Sequence, residues 1–147
     1  MMNISDDVAE FVEKQKLGFV ATVNPDNSPN LSPKGTIYRW NGCLVFADIR
    51  SPNTVANLEK NPLVELNVVD PFLRKGVRCK GTARIIKDGK EFENIMEFYK
   101  KKGIKSTINS FVIIEADQVK EVTSPLYDLG LSEDDMKKKW KKYYLNI

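Results

Sequence analysis

The dipeptide Asn41-Gly42, set between an extended stretch and the apolar run Cys43 to Asp48, constrains this chain more than any other feature. A type I′ two-residue connection between antiparallel strands needs positive φ at both positions, which Asn and Gly tolerate best, so Thr36 to Asp48 reads as a β-hairpin. The flanking sequence continues the theme. Phe19 to Val23 runs into the turn residues Pro25-Asp26-Asn27-Ser28, and Asn30 to Trp40 reads as one further extended stretch. Leu63 to Val69 ends at Asp70-Pro71. Val77 to Lys87 alternates around Val77, Cys79, Gly81, Ala83 and Ile85, and Phe111 to Glu115, extendable to Val122, is the last strand.

Four helices punctuate these strands. Ser5 caps the first, with Val8, Phe11 and Val12 on one face. Ser51-Pro52 opens the second, which buries Val55 and Leu58 and stops at Asn61-Pro62. Phe92, Ile95, Met96 and Tyr99 form the apolar stripe of the third. Ser132 and Asp135 open the fourth, with Met136 and Trp140 on one side. Strands follow strands through hairpins instead of alternating with helices, which predicts an antiparallel barrel with flanking helices. With no linker, low-complexity tract or repeat, residues 1–147 read as one domain, its core about 17–122 and its C-terminal helix about 132–144.

Composition narrows the chemistry. The sequence contains no histidine and only two cysteines, Cys43 and Cys79. That excludes Ser-His-Asp and Cys-His catalysis, histidine-ligated zinc or haem, and a four-cysteine zinc site; no metal is expected. Catalytic residues are not identifiable, and any chemistry must come from carboxylates, Lys, Tyr, Cys, backbone dipoles or an organic cofactor. The formal net charge is only +3 and both signs are interspersed, so no nucleic-acid partner is expected. No run approaches the roughly 18 apolar residues of a membrane span, and the N-terminus carries no secretory pattern, so the expectation is a cytoplasmic protein without membrane association. Lys137 to Tyr144 reads as a solvated helix docked through Trp140 rather than a nucleic-acid surface. Asp48, Glu65 and Asp70 read as surface carboxylates. Tyr38 and Trp40 fit cross-strand packing and ligand flanking equally.

One constellation could carry a ligand. The start of the second helix exposes unpaired N–H groups and partial positive charge, a seat for phosphate to which Ser51, Asn53 and Thr54 could add donors. Lys34 on a neighbouring strand could supply a charge, and Gly35 would let a flat ring approach the backbone. The same residues also fit an ordinary capped helix beside a surface lysine.

The run from Gly18 to Asp70, with Gly76-Val77-Arg78-Cys79-Lys80-Gly81-Thr82-Ala83 further on, resembles the FMN-binding core of the pyridoxamine-phosphate-oxidase-like family. The likeness covers about residues 17–122 and lies in the order of "GFVATVNPDNSPNLSP", "LVFAD", "SPNTVANLEKNP" and "GVRCKGTA". It implies a six-stranded antiparallel split barrel and a homodimer with FMN between subunits. It implies that Ser32, Pro33, Lys34, Gly35 and Thr36 border the ring and ribityl chain, continued by Ala47 and Asp48. Ser51, Asn53 and Thr54 would meet the phosphate, and Asn57 would face the site. Asn53 stands where the family often has a base, which shifts charge compensation to Lys34, Arg50 or a partner's Arg78 or Lys80. The tail after Ser124 lacks the family's substrate-binding Arg and His motif, so the chain is expected not to be a true pyridoxamine-phosphate oxidase. The function implied is an FMN-dependent oxidoreductase with a small-molecule electron donor and acceptor. The alternatives are a non-catalytic FMN-binding or electron-carrier protein, a deazaflavin-binding relative, and an oligonucleotide-binding barrel.

Overall fold

The computed structural model describes residues 2–146. Ser5 accepts the Val8 amide at 3.3 Å and so caps α1 (Asp6–Gln15). Seven strands follow: β1 (Gly18–Val23), β2 (Pro29–Lys34), β3 (Tyr38–Trp40), β4 (Cys43–Asp48), β5 (Leu63–Asp70), β6 (Lys75–Ile86) and β7 (Ser110–Thr123). Between β4 and β5 lies α2 (Pro52–Lys60), and between β6 and β7 lies α3 (Gly89–Lys101). A 3₁₀ turn at Pro125–Leu129, not anticipated from sequence, leads to α4 (Glu133–Leu145). All pairings are antiparallel, in the spatial order β2-β1-β5-β6-β7-β4-β3.

The expected mainly β architecture with flanking helices is therefore observed, with seven strands instead of six. The extra strand comes from residues 30–40, read as one stretch. The chain leaves the ladder at Gly35, Thr36 and Ile37, so β2 pairs only with β1 at one edge and β3 only with β4 at the other. The hairpin at Asn41-Gly42 is present but shorter than Thr36–Asp48. Only Tyr38–Trp40 pair with Cys43–Val45, across a turn with φ of 47° at Asn41 and 79° at Gly42.

Every residue of β4 is buried, because both of its faces are covered. Leu44 and Phe46 point into the barrel with Val20, Leu66, Cys79, Val112 and Ile114. Cys43, Val45 and Ala47 point the other way, into a second cluster under α3 with Ile95, Tyr99, Phe111 and Ile113. Period-2 geometry thus explains why a strand here reads as a continuous apolar run. Tyr38 and Trp40 belong to the second cluster: Tyr38 meets Phe98 and Tyr99 edge-on, and Trp40 lies 5.5 Å from Phe98. They serve packing. Both cysteines are buried thiols, and burial pushes Cys79 up to about 11.

Two features lock the ends. The register of β6 and β7 shifts between Lys80 and Gly81, and a Cβ at Gly81 would lie 2.1 Å from the Glu115 carbonyl oxygen. At the C-terminus, Ser132 and Asp135 form a reciprocal capping box. From α4, Met136 is fully buried and Trp140 lies 3.7 Å beneath the Arg74 guanidinium, as expected of a docked helix. No helix among the described residues is long and apolar enough to cross a membrane.

Candidate functional site

Strand alternation builds the site. On β2, Leu31 and Pro33 face outward, while Asn30, Ser32 and Lys34 turn inward. The inward stripe is polar because α2 begins across from it. The ends of β2 and β4 and the segments after them line a groove of about 270 Å³: Ser32, Pro33, Lys34, Gly35 and Thr36 on one side, Ala47, Ile49, Arg50 and Ser51 on the other.

Lys34 dominates this groove. It is 8% exposed, not the surface lysine of the simpler reading. Its ammonium donates to Ser32 Oγ at 2.8 Å and to Ser51 Oγ. An ammonium carries three donors, so one remains without a protein acceptor. Among the described residues no carboxylate forms an ion pair with Lys34. Burial pushes the amine below its ordinary range, and the Asp48 charge partly opposes that.

Asp48 corrects the sequence reading of a surface carboxylate. It is 6% exposed and holds the loop into α2 in place. One oxygen accepts the Ser51 amide at 3.0 Å, and the other accepts the Ser110 hydroxyl at 3.3 Å. Of the other two carboxylates, Glu65 pairs with Arg78 and Asp70 accepts the Phe72 and Leu73 amides. Ser51 is the N-cap of α2, yet its side chain makes no capping bond, and Pro52 follows. The first-turn amides therefore keep their capacity to bind an anion.

Seven of the eleven residues singled out from sequence come together in this groove. Asp48 lies behind it. Asn53 is exposed on the first turn of α2 and does not line it. Thr54 and Asn57 are buried and engaged elsewhere: Thr54 Oγ1 accepts from Asn30 Nδ2 at 3.3 Å, and Asn57 Nδ2 donates to Thr22 Oγ1 at 3.1 Å and Asn24 Oδ1 at 2.9 Å. Ile49, which no sequence signal marked, and Arg50 complete the lining. The groove is held from below by Tyr99, whose hydroxyl donates to the Thr36 carbonyl at 2.6 Å and also lies 3.3 Å from the Val45 carbonyl.

The chain thus forms a split antiparallel barrel with a groove beside its β2 edge that carries Lys34 and Arg50. Residues 4–123 match the family model described as pyridoxamine 5'-phosphate oxidase, and the chain belongs to that family. Among solved structures, HupZ of Group A Streptococcus is similar at 25% identity and a TM-score of 0.73, over 82% of this chain and 95% of that one. An F420 reductase is similar at 17% identity and a TM-score of 0.62, over 80% and 98%. The FAD-binding protein of Mycobacterium smegmatis is similar at 17% identity and a TM-score of 0.57, over 83% and 97%. At that identity the last two establish likeness of fold. No curated protein sequence matches this one significantly.

Proposed function

We propose that this chain is an FMN-binding flavoprotein of the cytoplasm, an oxidoreductase that works as a homodimer. The observation that carries the reading is the buried Lys34, which has two hydroxyl partners, no ion pair and one donor left over, beside an uncapped helix N-terminus. A buried cation without an anionic partner is costly, and a phosphate group would resolve the imbalance. Lys34, Ser51 and the first turn of α2, with Asn53, would hold the phosphate, and Arg50 would add charge. The backbone from Pro33 to Thr36 would border the ring, and Asp48 would act through Ser51. When bound, FMN supplies the hydride or electron transfer. Two structural neighbours, named for F420 and FAD, support a flavin-type ligand.

The groove's volume supports the dimer. At about 270 Å³ it is smaller than the range of about 300–1,000 Å³ usual for sites that enclose a drug-sized ligand, the size class of FMN. A second copy would supply the missing wall. The outer face of β1 and β2 fits that role: Phe19 is 41% exposed and Leu31 67%, and Phe19 pairs with Pro33, which itself lines the groove. Leu31→Glu should convert the dimer to a monomer by light scattering and lose FMN with it; a wild-type monomer that binds FMN would refute the shared site.

The deciding experiment is the absorption spectrum of purified protein after FMN addition and desalting. Retained flavin bands, bleached by NADH or NADPH, are expected. Bands that neither nicotinamide bleaches would leave a carrier or a non-catalytic FMN-binding protein, and retention of an added deazaflavin but not of FMN would replace FMN. Absence of all bands would sink the proposal. Turnover of pyridoxamine phosphate is not expected.

A further inference from the structure

A second cavity of about 260 Å³ lies at the opposite end of α2 from the flavin groove, and its chemistry differs. Four carboxamides line it, Asn24, Asn27, Asn57 and Asn61, with Lys60 beside them. Asn57 is the key residue because it is 5% exposed and its orientation is fixed by its neighbours. Asn24 Nδ2 donates to Ser28 Oγ at 3.1 Å and to the Pro29 carbonyl, which can only accept. Asn24 Oδ1 must therefore accept, and the group that donates to it is Asn57 Nδ2. With Thr22 Oγ1 taking the other amide hydrogen, Asn57 Oδ1 is left without a protein donor. It is not sealed from solvent, and its residue lines the cavity. An acceptor in this state is left to water or to a donor on a molecule in the cavity.

The rim is complementary. Asn61 Oδ1 accepts the Leu63 amide at 3.1 Å, which leaves its Nδ2 free to donate. Asn27, held at a φ of 67°, has no side-chain hydrogen bond among the described residues, and Lys60 has no ion pair there. The wall thus presents a deep acceptor and outer donors, with no carboxylate. A cation finds no counter-charge and an apolar molecule would strand the amides. Hydroxyl groups, which donate and accept from one atom, meet both needs.

We propose that this cavity binds a small neutral polyhydroxylated molecule of the sugar class, one hydroxyl donating to Asn57 Oδ1 and others accepting from Asn61 and Lys60. The site is independent of the flavin groove. The test is a titration of the ¹⁵N-labelled full chain with D-ribose and D-glucose, followed by amide chemical shifts, with nicotinamide as a neutral carboxamide control. Saturable shifts confined to residues 23–27 and 57–61 are expected for a sugar. Asn61→Ala should weaken binding about fivefold, the scale of one hydrogen bond, and Asn57→Leu should abolish it. Asn61 is at the rim, so its variant remains informative if Asn57→Leu does not fold. Non-saturating shifts, saturation by nicotinamide alone, or sugar affinity unchanged in Asn61→Ala would overturn the proposal.

Discussion

Replacing Lys34 with methionine separates a functional from a structural lysine, because the two roles predict effects of opposite kind. In the ligand-free protein the ammonium is held by two hydroxyls, each charge-assisted bond contributing about 1.5–3 kcal/mol. Against this stands the desolvation cost of a charge on a residue that is 8% exposed, reduced because the ammonium lines the groove. The terms offset. Methionine gives up the ammonium's place 5.7 Å from the centre of the Phe46 ring but can set its thioether against that ring, and Ser51, relieved of the lysine, can cap α2 as an N-cap serine ordinarily does. Lys34→Met should therefore change the stability of apoprotein by less than about 1 kcal/mol in urea denaturation. FMN affinity, read from quenching of flavin fluorescence, should fall at least about tenfold, or about 1.4 kcal/mol. The pH profile gives a second reading. The folded-state pKa of Lys34 lies below its unfolded value near 10.5, so between the two the unfolded chain binds the extra proton. Stability from this group consequently rises with pH across that window, and its burial penalty is fully present below it. The variant should lack this rise. Apoprotein destabilised by more than about 2 kcal/mol with FMN affinity unchanged would refute the reasoning and make Lys34 a structural residue.

Two further substitutions test how the groove is supported. Tyr99→Phe removes the hydrogen bond to the Thr36 carbonyl without opening a cavity, and should cost about 1–2 kcal/mol by urea denaturation; an unchanged midpoint would mean that water replaces the hydroxyl. Gly81→Ala places a methyl group against the Glu115 carbonyl at the bulge, where only backbone can move. It should cost more than about 2 kcal/mol or prevent folding, and a stable variant with wild-type circular dichroism would show that the bulge relaxes freely.

Residues with local causes were legible. Asn41-Gly42 located its turn because the turn needs those φ values whatever surrounds it, and Ser132 with Asp135 marked a helix start because capping is settled within four residues. The course of residues 30–40 was not legible. That stretch carries no strong turn pair, and its exit from the ladder at Gly35 depends on which strands occupy the two sheet edges. The same limit affected the site. Lys34 and Asp48 look like surface charges in sequence, since nothing local shows that α2 and Ser110 will cover them. Asn57 lies one helical turn from Asn53 and Thr54, which placed it beside them, but its donors go to Thr22 and Asn24 on and beyond β1.

The departure of the chain from the ladder at residues 35–37 has a mechanical consequence. One continuous segment forms both outermost strands, so it works as a hinge pin shared by two leaves. Fraying of β3 would pull on the end of β2, and with it on Lys34. The Tyr99 bond to Thr36 is the latch that resists this motion. For the ligand proposed for the adjoining groove, entry and escape would then be tied to the opening of that seam, and its residence time to an edge strand only three residues long.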